Sequence, residues 1–341
     1  SRIAAAYSCG ADTLGIIFDK PAKGKRTATA GWYNTAAFEQ IAQADGLYAK
    51  TLNGDAYSAE MKEQTIETIK KDLGQVDMVI YSIAAPRRTA PDGVTYKSVL
   101  KTTGEAYTNR TIDLRSNQLT EATIEPATQE EINNTIKVMG GEDWILWIKA
   151  LKDAGVLADG AKTVAYSYIG PELTYPIYKE GSIGQAKKDL YASADKIQEE
   201  VDGVEAYVSV NKAVVTQSSA AIPIVPLYLA ILFKVMKEQN VQEGCIEQMY
   251  RMIHDRLCNG GEVVTDENRL IRMDDWEMEP KVQEAVAAIW EKIDQDNLEE
   301  VTDLEGYWQE FYEIFGFCID GVDYSADVDA DVQIPSIAPV E

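Results

Sequence analysis

The chain has 341 residues, with 32 Lys and Arg against 56 Asp and Glu and a net charge of −24. This acidic excess argues against non-specific binding to nucleic acid or to an anionic membrane, because both carry negative charge. The length suffices for one large domain or two modest ones with a sizeable core. The longest apolar run, residues 220–233, contains two prolines and is too short to span a membrane.

The cysteines and the single histidine exclude several kinds of site. The cysteines are Cys9, Cys245, Cys258 and Cys318. Their scattered spacing does not match a metal-binding motif, so we expect reduced thiols and no metal site. Reduced thiols favour a cytoplasmic location, with a mitochondrial one as the alternative if a transit segment precedes Ser1. We interpret His254, the only histidine, as an ordinary surface or core residue rather than a member of a catalytic triad.

Helices and strands alternate in the first part of the chain. The pattern predicts a helix ending near residue 10, strands at 13–18, 48–53 and 78–83, and helices at 35–45 and 58–72. Strands separated by helices imply right-handed βαβ units and a parallel sheet with helices on both faces. The sequence therefore predicts an α/β fold of the doubly wound Rossmann type.

The beginning of that pattern is not visible in the sequence. A dinucleotide-binding fold normally carries a GxGxxG loop between its first strand and first helix, where backbone amides bind the pyrophosphate. No such motif occurs in the chain. We therefore expect that the first strand and its glycine-rich loop are not part of this sequence. Either the numbering starts inside a longer natural protein, or this chain lacks that cofactor element.

The second part of the chain combines helices, two further strands and an acidic ending. Predicted elements are a β-rich insertion at 89–128, a helical region at 130–152, a strand at 163–168, a helix from Ser182 to 201, a strand at 206–210, an apolar helix at 223–237, a charged helical region at 247–290 and an acidic, solvated tail at 325–341. Ser182 is a possible N-cap. Trp144 and Trp147 are expected in the core. The apolar helix is core or the lining of an acyl pocket, and core is favoured.

The stretch at residues 163–190 contains the most informative pair of side chains. Tyr178 and Lys187 are separated by eight residues, and one unbroken helix would hold them roughly 13 Å apart along its axis. At that distance they would not share a substrate. Gly181 and Gly184 allow a turn between them. With the turn, the lysine is expected to lower the pKa of the phenol and to make it a better proton donor near neutral pH.

The chain resembles the NADH-dependent trans-2-enoyl-CoA reductases and the related V-type enoyl-ACP reductases, whose hallmark is Tyr-x8-Lys. The matching blocks occur in order along nearly the whole chain: TAGWYN at 29–34, NGDA at 53–56, YSIAAPRRT at 81–89, VMGGEDW at 138–144, AYSYIGPE at 165–172, SSAAIPIVPLYLAILFKVMKE at 218–238 and GFCIDGVDY at 316–324. The resemblance implies a monomeric reductase, with NADH as cofactor and a trans-2-enoyl thioester of CoA or acyl-carrier protein as substrate.

The resemblance also implies roles for particular residues. Tyr178 would be the proton donor, Lys187 would bind the nicotinamide ribose and tune Tyr178, and Tyr168 would hydrogen-bond the thioester carbonyl. Asp19 would accept hydrogen bonds from the adenine ribose and disfavour NADPH; a helix cap or a surface aspartate is the alternative. The other cofactor-binding candidates are Phe18, Asp55, Ala56, Ile83, Ala84, Val214, Val215 and Thr216.

Other interpretations remain open at this point. Arg87 and Arg88 would face substrate phosphates or form a solvated basic turn, and Tyr168 and Tyr178 would otherwise be aromatic packing at a sheet edge. The chain as a whole could be a non-catalytic Rossmann-like binding protein or an NADH-dependent carbonyl reductase. We predict one reductase domain over residues 1–341, with the insertion and the tail at the positions given above.

Overall fold

The computed structural model describes residues 1–337, which form ten strands and twelve α-helices. The strands are β1 (Thr13–Ile17), β2 (Ala49–Asn53), β3 (Val76–Tyr81), β4 (Arg87–Thr89), β5 (Thr95–Lys97), β6 (Tyr107–Asp113), β7 (Gln118–Ile124), β8 (Leu157–Ser167), β9 (Val204–Val210) and β10 (Leu270–Arg272). The helices are α1 (Arg2–Cys9), α2 (Ala30–Ala44), α3 (Ala59–Asp72), α4 (Gln129–Met139), α5 (Glu142–Asp153), α6 (Ser182–Glu200), α7 (Gln217–Ala220), α8 (Val225–Glu238), α9 (Cys245–Arg251), α10 (Pro280–Lys292), α11 (Leu298–Val301) and α12 (Leu304–Glu313).

The strands that follow helices pair in parallel. β1 pairs with β2, and a second sheet has the order β3, β8, β9 and β10, with every neighbouring pair parallel. Helix α2 connects the parallel pair β1 and β2, and helix α6 connects the parallel pair β8 and β9. The α/β fold with a parallel sheet is therefore confirmed. The region at 247–290 was expected to be helical, but it contains β10, a short strand that extends the sheet.

Helices cover both faces of the four-stranded sheet. Successive side chains of a strand point to opposite faces, and in β8 the fully buried Val164 and Ala165 join different apolar clusters. Ala165 lies in a cluster with Trp144 of α5 and Leu190 of α6. Val164 lies in a cluster that includes Ala4 of α1. At Val164 and Ala165 the strand β8 is therefore buried on both faces of the sheet, as is typical of a parallel sheet covered by helices.

Two antiparallel hairpins lie between β3 and α4. β4 pairs with β5, and β6 pairs with β7 over seven residues of each strand. Ile112 of β6 and Ile124 of β7 join the apolar cluster built around α8. Nearly every residue of α8 is buried, as expected for a core helix. Apart from Arg87 and Arg88 of β4, the hairpins fall in the region predicted to be a β-rich insertion at 89–128, and its status as an insertion stays a prediction.

The start of α6 differs from the prediction. Gly181, not Ser182, occupies the N-cap position. Ser182 is fully buried in the first turn, where its hydroxyl donates to the carbonyl of Val99 at 2.6 Å and accepts from the amide of Lys101 at 3.1 Å. Ser182 therefore fastens α6 to the chain that leads into the hairpins, which is a contact between distant residues that local sequence patterns do not reveal.

The expectation of a solvated tail is wrong for its last described residues. The indole of Trp32 donates to the carbonyl of Val332 at 2.7 Å, and Ile334 is fully buried beside Trp32. The Ser336 hydroxyl donates to Glu39 of α2 at 2.7 Å. Apolar residues spaced among the acidic ones let this segment pack on α2. Residues 338–341 of the predicted tail lie outside the described residues.

Within residues 1–337, no helix is long and apolar enough to cross a membrane. Over the same range, no group of three or more His, Cys, Asp or Glu side chains is arranged to hold a metal ion. All four cysteines are exposed and unpaired. His254 is exposed, with its Nδ1 2.7 Å from Asp255 and its ring stacked on Tyr250, which agrees with an ordinary surface histidine.

Candidate active site

The connection between β8 and α6 brings Tyr168 and Tyr178 together. Gly170 has a φ of 74°, and a side chain there would overlap the Tyr168 ring and the hydroxyl of Thr174. The chain then turns back, and the amide of Tyr178 donates to the carbonyl of Thr174 at 2.9 Å. The two tyrosine rings meet edge to face, with centroids 5.0 Å apart and planes at 84°. Their juxtaposition at the carboxyl end of β8 agrees with the predicted site.

The turn expected between Tyr178 and Lys187 is present. Gly184 lies against the main-chain carbonyls of Tyr178 and Lys179, so closely that a β-carbon would overlap both. Residues three positions apart share a face of a helix, and Lys187 therefore lies on the same face of α6 as Gly184. This close packing lets a side chain on α6 approach the segment that carries Tyr178.

Lys187 is a partly buried cation, and its amine forms no salt bridge with a carboxylate in residues 1–337. Its Nζ donates to the main-chain carbonyl of Tyr166 at 2.9 Å. Burial lowers the pKa of Lys187 to about 8, because the charged amine is removed from water. An ammonium group has more hydrogen-bond donors than this one contact uses. Lys187 is therefore able to donate to a ligand as well.

Tyr178 differs from its predicted state. Burial raises its pKa above the ordinary value, and Lys187 does not offset this effect. The phenol is consequently neutral at pH 7. Its ring is half-buried, and its hydroxyl makes no hydrogen bond to any residue in the part of the chain that the structure describes. The expectation of a pKa lowered by the lysine does not hold in this state, whereas a free hydroxyl proton suits a proton donor.

Tyr168 makes a contact that the sequence did not indicate. Its hydroxyl donates to Oε1 of Glu277 at 3.0 Å, and burial raises the pKa of Glu277. A phenol has a single proton, so this hydroxyl does not donate to a substrate carbonyl at the same time. Glu277 follows β10, a strand that sequence patterns did not predict, and no motif marks it. The one signal for Glu277 would have been that β10 ends at the same edge of the sheet as β8.

The predicted adenine-side residues follow β1. Phe18 is 81% exposed, so its ring is open to a ligand. The amide of Asp19 donates to the side chain of Asn53 at 3.0 Å, which joins the ends of β1 and β2. Thr29, the residue before α2, donates from its hydroxyl to Oδ1 of Asp19 at 2.7 Å. Asp19 thus supports the start of α2, as in the alternative interpretation, and still lies at the carboxyl edge of β1.

The turn after β2 is held by several hydrogen bonds. Asp55 accepts from the amide of Tyr57 at 3.0 Å. The carbonyl of Ala56 accepts from the indole of Trp147 at 3.0 Å and from the amine of Lys62 at 3.2 Å. Trp147 is buried, as predicted for a core residue. It also fixes the backbone at one of the candidate cofactor-binding positions, a role that its spacing did not suggest.

The remaining candidates follow β3 and β9. Ile83 is half-buried and Ala84 is exposed just after β3. The loop Val214–Thr216 follows β9, and the hydroxyl of Thr216 accepts from the amide of Ser219 at 2.9 Å as the N-cap of α7. Since β3, β8 and β9 are parallel, their carboxyl ends share one edge of the sheet. The structure therefore brings these residues to the edge that carries Tyr168.

Arg88 does not face a substrate. It is buried, and its NH1 donates to the carbonyl of Lys137 and to Glu142, each at 2.7 Å. Nearby, Asp143 accepts from Lys62 at 2.9 Å. Neither of the two interpretations offered for the arginine pair describes Arg88, which belongs to a buried ionic network. Arg87 is exposed.

This site on a parallel sheet is that of an α/β oxidoreductase, and comparison with known proteins agrees. A family model described as the catalytic region of trans-2-enoyl-CoA reductase matches residues 26–258, and one described as an enoyl reductase FAD-binding domain matches residues 265–328. The NADH-dependent trans-2-enoyl-CoA reductase of Ruminiclostridium cellulolyticum is 56% identical over 340 residues, which cover 99% of this chain and 86% of that protein.

Two further proteins show the same likeness. The NADH-dependent enoyl-[acyl-carrier-protein] reductase of Pseudomonas fluorescens is 56% identical over 98% of this chain and 84% of its own length. The crystal structure of Treponema denticola trans-2-enoyl-CoA reductase in complex with NAD superposes with a TM-score of 0.94 and 47% identity, over 99% of this chain and 84% of that one. The chain belongs to the trans-2-enoyl-CoA reductase family.

The description of the second family model names a flavin cofactor, but the residues that match this model are not suited to bind a flavin dinucleotide. Residues 265–328 contain 19 Asp and Glu against 4 Lys and Arg. Arg269 and Arg272 are already paired with carboxylates. A dinucleotide pyrophosphate needs cations or convergent backbone amides at a glycine-rich loop, and this acidic segment opposes that charge.

Proposed function

We propose that this protein uses NADH to reduce the C2=C3 double bond of trans-2-enoyl thioesters, with an enoyl-CoA or an enoyl-acyl-carrier protein as substrate. The observation that carries the proposal is the free hydroxyl of Tyr178. Tyr178 lies beside Tyr168, and its backbone packs against Gly184 on the face of α6 that also carries Lys187. The printed names of the relatives, which are NADH-dependent enoyl-CoA and enoyl-acyl-carrier-protein reductases, support the same substrate and cofactor.

The residues at the sheet edge fit a nicotinamide dinucleotide. Lys187 has donors for the nicotinamide ribose, and Asp19 offers a carboxylate for the adenine ribose, beside the open ring of Phe18. The turns at Asp55–Ala56 and Ile83–Ala84 and the loop Val214–Thr216 complete the proposed cofactor contacts. Ala84 is small and exposed, which allows a close approach to the backbone. When bound, NADH supplies the hydride.

The chain's own residues would supply the proton and stabilise the negative charge. Hydride addition at C3 of the substrate places negative charge on the thioester oxygen, and C2 then takes up a proton. Tyr178 is neutral, because burial raises its pKa, and it would donate that proton. The cationic amine of Lys187 would orient the ribose and hold positive charge near the developing enolate. Tyr168 would form one wall of the substrate pocket and fix the ring of Tyr178.

We extend the proposal to the finer organisation of the molecule. Helices on both faces of the parallel sheet support a doubly wound, Rossmann-type fold of the short-chain-dehydrogenase kind. A single reductase domain over 1–341, with an insertion at 89–128, agrees with the contact of the β6–β7 hairpin with the α8 cluster. Four exposed free cysteines and bacterial relatives support a cytoplasmic location. We propose a monomer as the active form.

Turnover of crotonyl-CoA with NADH tests the function. We expect oxidation of NADH that depends on crotonyl-CoA, with a kcat/KM at least a hundredfold above that for simple ketones such as 2-butanone. A preference for the ketone would favour the carbonyl reductase. NADH binding, followed by its fluorescence, without turnover of either substrate would favour a non-catalytic binding protein. Assays with crotonyl-acyl-carrier protein at low and high salt distinguish the two thioester carriers. We expect this substrate to be reduced less well at low salt, because the net charge of −24 repels an acidic carrier protein.

A further inference from the structure

The carboxylate of Glu277 connects two parts of the site that the sequence leaves far apart. It is fully buried. Its Oε1 accepts from the hydroxyl of Tyr168 at 3.0 Å and from that of Tyr228 at 2.6 Å, while Oε2 accepts from the amide of Ala213 at 2.7 Å. Tyr168 contacts Tyr178, and Ala213 precedes the loop 214–216 on the proposed nicotinamide side. One side chain therefore contacts both sides of the reaction centre.

The surroundings fix this carboxylate in place. Gln283 donates from its side-chain amide to the carbonyl of Glu277 at 2.7 Å and to the hydroxyl of Tyr228 at 3.1 Å. Since Tyr228 accepts this bond, its own proton is free for Glu277. The amine of Lys212 donates to the carbonyl of Ala213 at 2.9 Å and is itself buried. Glu277 thus sits in a network with defined donors rather than in a loose polar pocket.

We infer that Glu277 is a positioning residue for the proposed reduction: it fixes the hydroxyl of Tyr168, and through that ring it fixes the proton donor Tyr178. The hydroxyl of Tyr178 has no hydrogen bond to hold it in residues 1–337. The position of that ring depends on packing, and the edge-to-face contact with Tyr168 at 5.0 Å is part of this packing. The ring of Tyr168 is in turn held by the turn at Gly170 and by its bond to Glu277.

The bond to Ala213 gives Glu277 a second effect. The backbone from Ala213 leads directly into the loop Val214–Thr216, whose last residue is the N-cap of α7. The hydrogen bond from the Ala213 amide to Glu277 therefore fixes the start of this loop relative to Tyr168. Because the reacting atoms of hydride donor, acceptor and proton donor must align closely, a shift of about 1 Å is enough to cost roughly 100-fold in rate. The inference rests on the proposed function.

The test compares Glu277→Gln, Tyr168→Phe and the double variant, with kcat, KM and NADH affinity measured for each. In Glu277→Gln the amide oxygen still accepts from Ala213, while the amide N–H groups face the two phenols and reverse the bond to Tyr168. We expect kcat with crotonyl-CoA to fall about 10- to 100-fold in each single variant, with the NADH dissociation constant unchanged. If Glu277 acts through the Tyr168 hydroxyl, the double variant is no slower than the slower single variant.

Tyr307→Phe is the matched control, because Tyr307 is buried in the apolar cluster that contains Tyr228, and its hydroxyl makes no hydrogen bond within residues 1–337. We expect its kcat within about threefold of wild type. If Glu277→Gln does not fold, Glu277→Asp takes its place, since it keeps the charge but is too short to contact all three donors. We expect Glu277→Asp to lose as much kcat as Glu277→Gln, and to behave in the same way when it is combined with Tyr168→Phe.

Two results would overturn the inference. One is a Glu277 variant whose kcat stays within about threefold of wild type. The other is a double variant whose loss equals the product of the two single losses, because Glu277 and Tyr168 would then act independently. Wild-type turnover of crotonyl-CoA separates these results from a failure of the proposed function. If the wild type is active and Glu277→Gln is equally active, only the inference fails.

Discussion

The ring of Tyr178 meets the ring of Tyr168 edge to face at a centroid distance of 5.0 Å. An edge-to-face contact orients an aromatic ring without using its hydroxyl. The Tyr178 proton is thereby left for a ligand, whereas the proton of Tyr168 is donated to Glu277. Two phenols in contact therefore have different roles, and several predictions depend on this difference.

Tyr178→Phe should lower kcat for crotonyl-CoA reduction by about 10²–10³, because it removes the proposed proton donor and keeps the ring. NADH affinity and thermal stability should be unchanged. Tyr175→Phe is the control: Tyr175 lies on the same turn, but its ring contacts the amine of Lys179 at 4.2 Å, and kcat should not change. Reduction by Tyr178→Phe within a few-fold of wild type would show that Tyr178 is not the donor.

Lys187→Met should abolish turnover and stabilise the fold at pH 7. Burial lowers the pKa of Lys187 to about 8, against about 10.4 in an unfolded chain. Below pH 8 both states hold the proton, and the folded state bears the cost of the buried charge. A variant without this charge should therefore gain about 2 kcal/mol in the free energy of unfolding at pH 7.

The sign of the pH dependence gives a further check on Lys187. Between pH 8 and about 10.4 the unfolded chain binds more protons than the folded chain, so wild-type stability rises with pH through this window. The advantage of Lys187→Met in urea denaturation should then shrink as the pH approaches 10. Lys188→Met, at an exposed position on the same helix, should show neither the gain nor the pH dependence. A destabilised Lys187→Met would contradict the pKa shift.

Asp19→Ser should change the cofactor preference. Removing the carboxylate removes hydrogen-bond acceptors for the adenine ribose and the repulsion of a 2′-phosphate. We expect the ratio of kcat/KM for NADPH to that for NADH to rise about tenfold or more, mainly through KM. Asp12→Ser, at an exposed position before β1, should leave the ratio unchanged. An unchanged ratio in Asp19→Ser would leave Asp19 only its role at the start of α2.

Arg88→Met should destabilise the protein without a specific loss of substrate affinity. It leaves Glu142 and the buried Asp143 short of positive charge, and breaking such a network typically costs about 3 kcal/mol. Denaturant unfolding would measure this loss. Arg87→Met, which changes an exposed residue, should have a negligible effect on stability. A raised KM for crotonyl-CoA with unchanged stability in Arg88→Met would contradict the structural role.

Much of the candidate site could be predicted from local sequence patterns, because short segments of the chain form it. Gly184 between Tyr178 and Lys187 indicated a turn, and the structure shows the close packing that needs a glycine there. The alternation of apolar runs indicated parallel strands, whose carboxyl ends must share an edge. The acidic residue after β1 was visible for the same reason. Each of these inferences needs only a residue and its near neighbours along the chain.

The predictions that proved wrong concern the environment of a side chain. The lysine was expected to lower the pKa of Tyr178, but desolvation raises it, and desolvation depends on every element that packs around the ring. Arg88 looked like a surface cation and is buried in an ionic network. The tail looked solvated, yet Ile334 is buried against α2. No spacing rule reports such contacts between distant residues.

The sequence by itself determined the α/β class, the family and the Tyr-x8-Lys pair, because these follow from periodicity and from motifs in a fixed order. The tertiary structure alone decided that Glu277 holds Tyr168, that Trp147 fixes the turn at Ala56, and that Lys187 is a cation without a carboxylate partner in residues 1–337. Hydrogen-bond partners and desolvation arise between residues that are far apart in sequence and adjacent only after folding, so they become visible only in the folded chain.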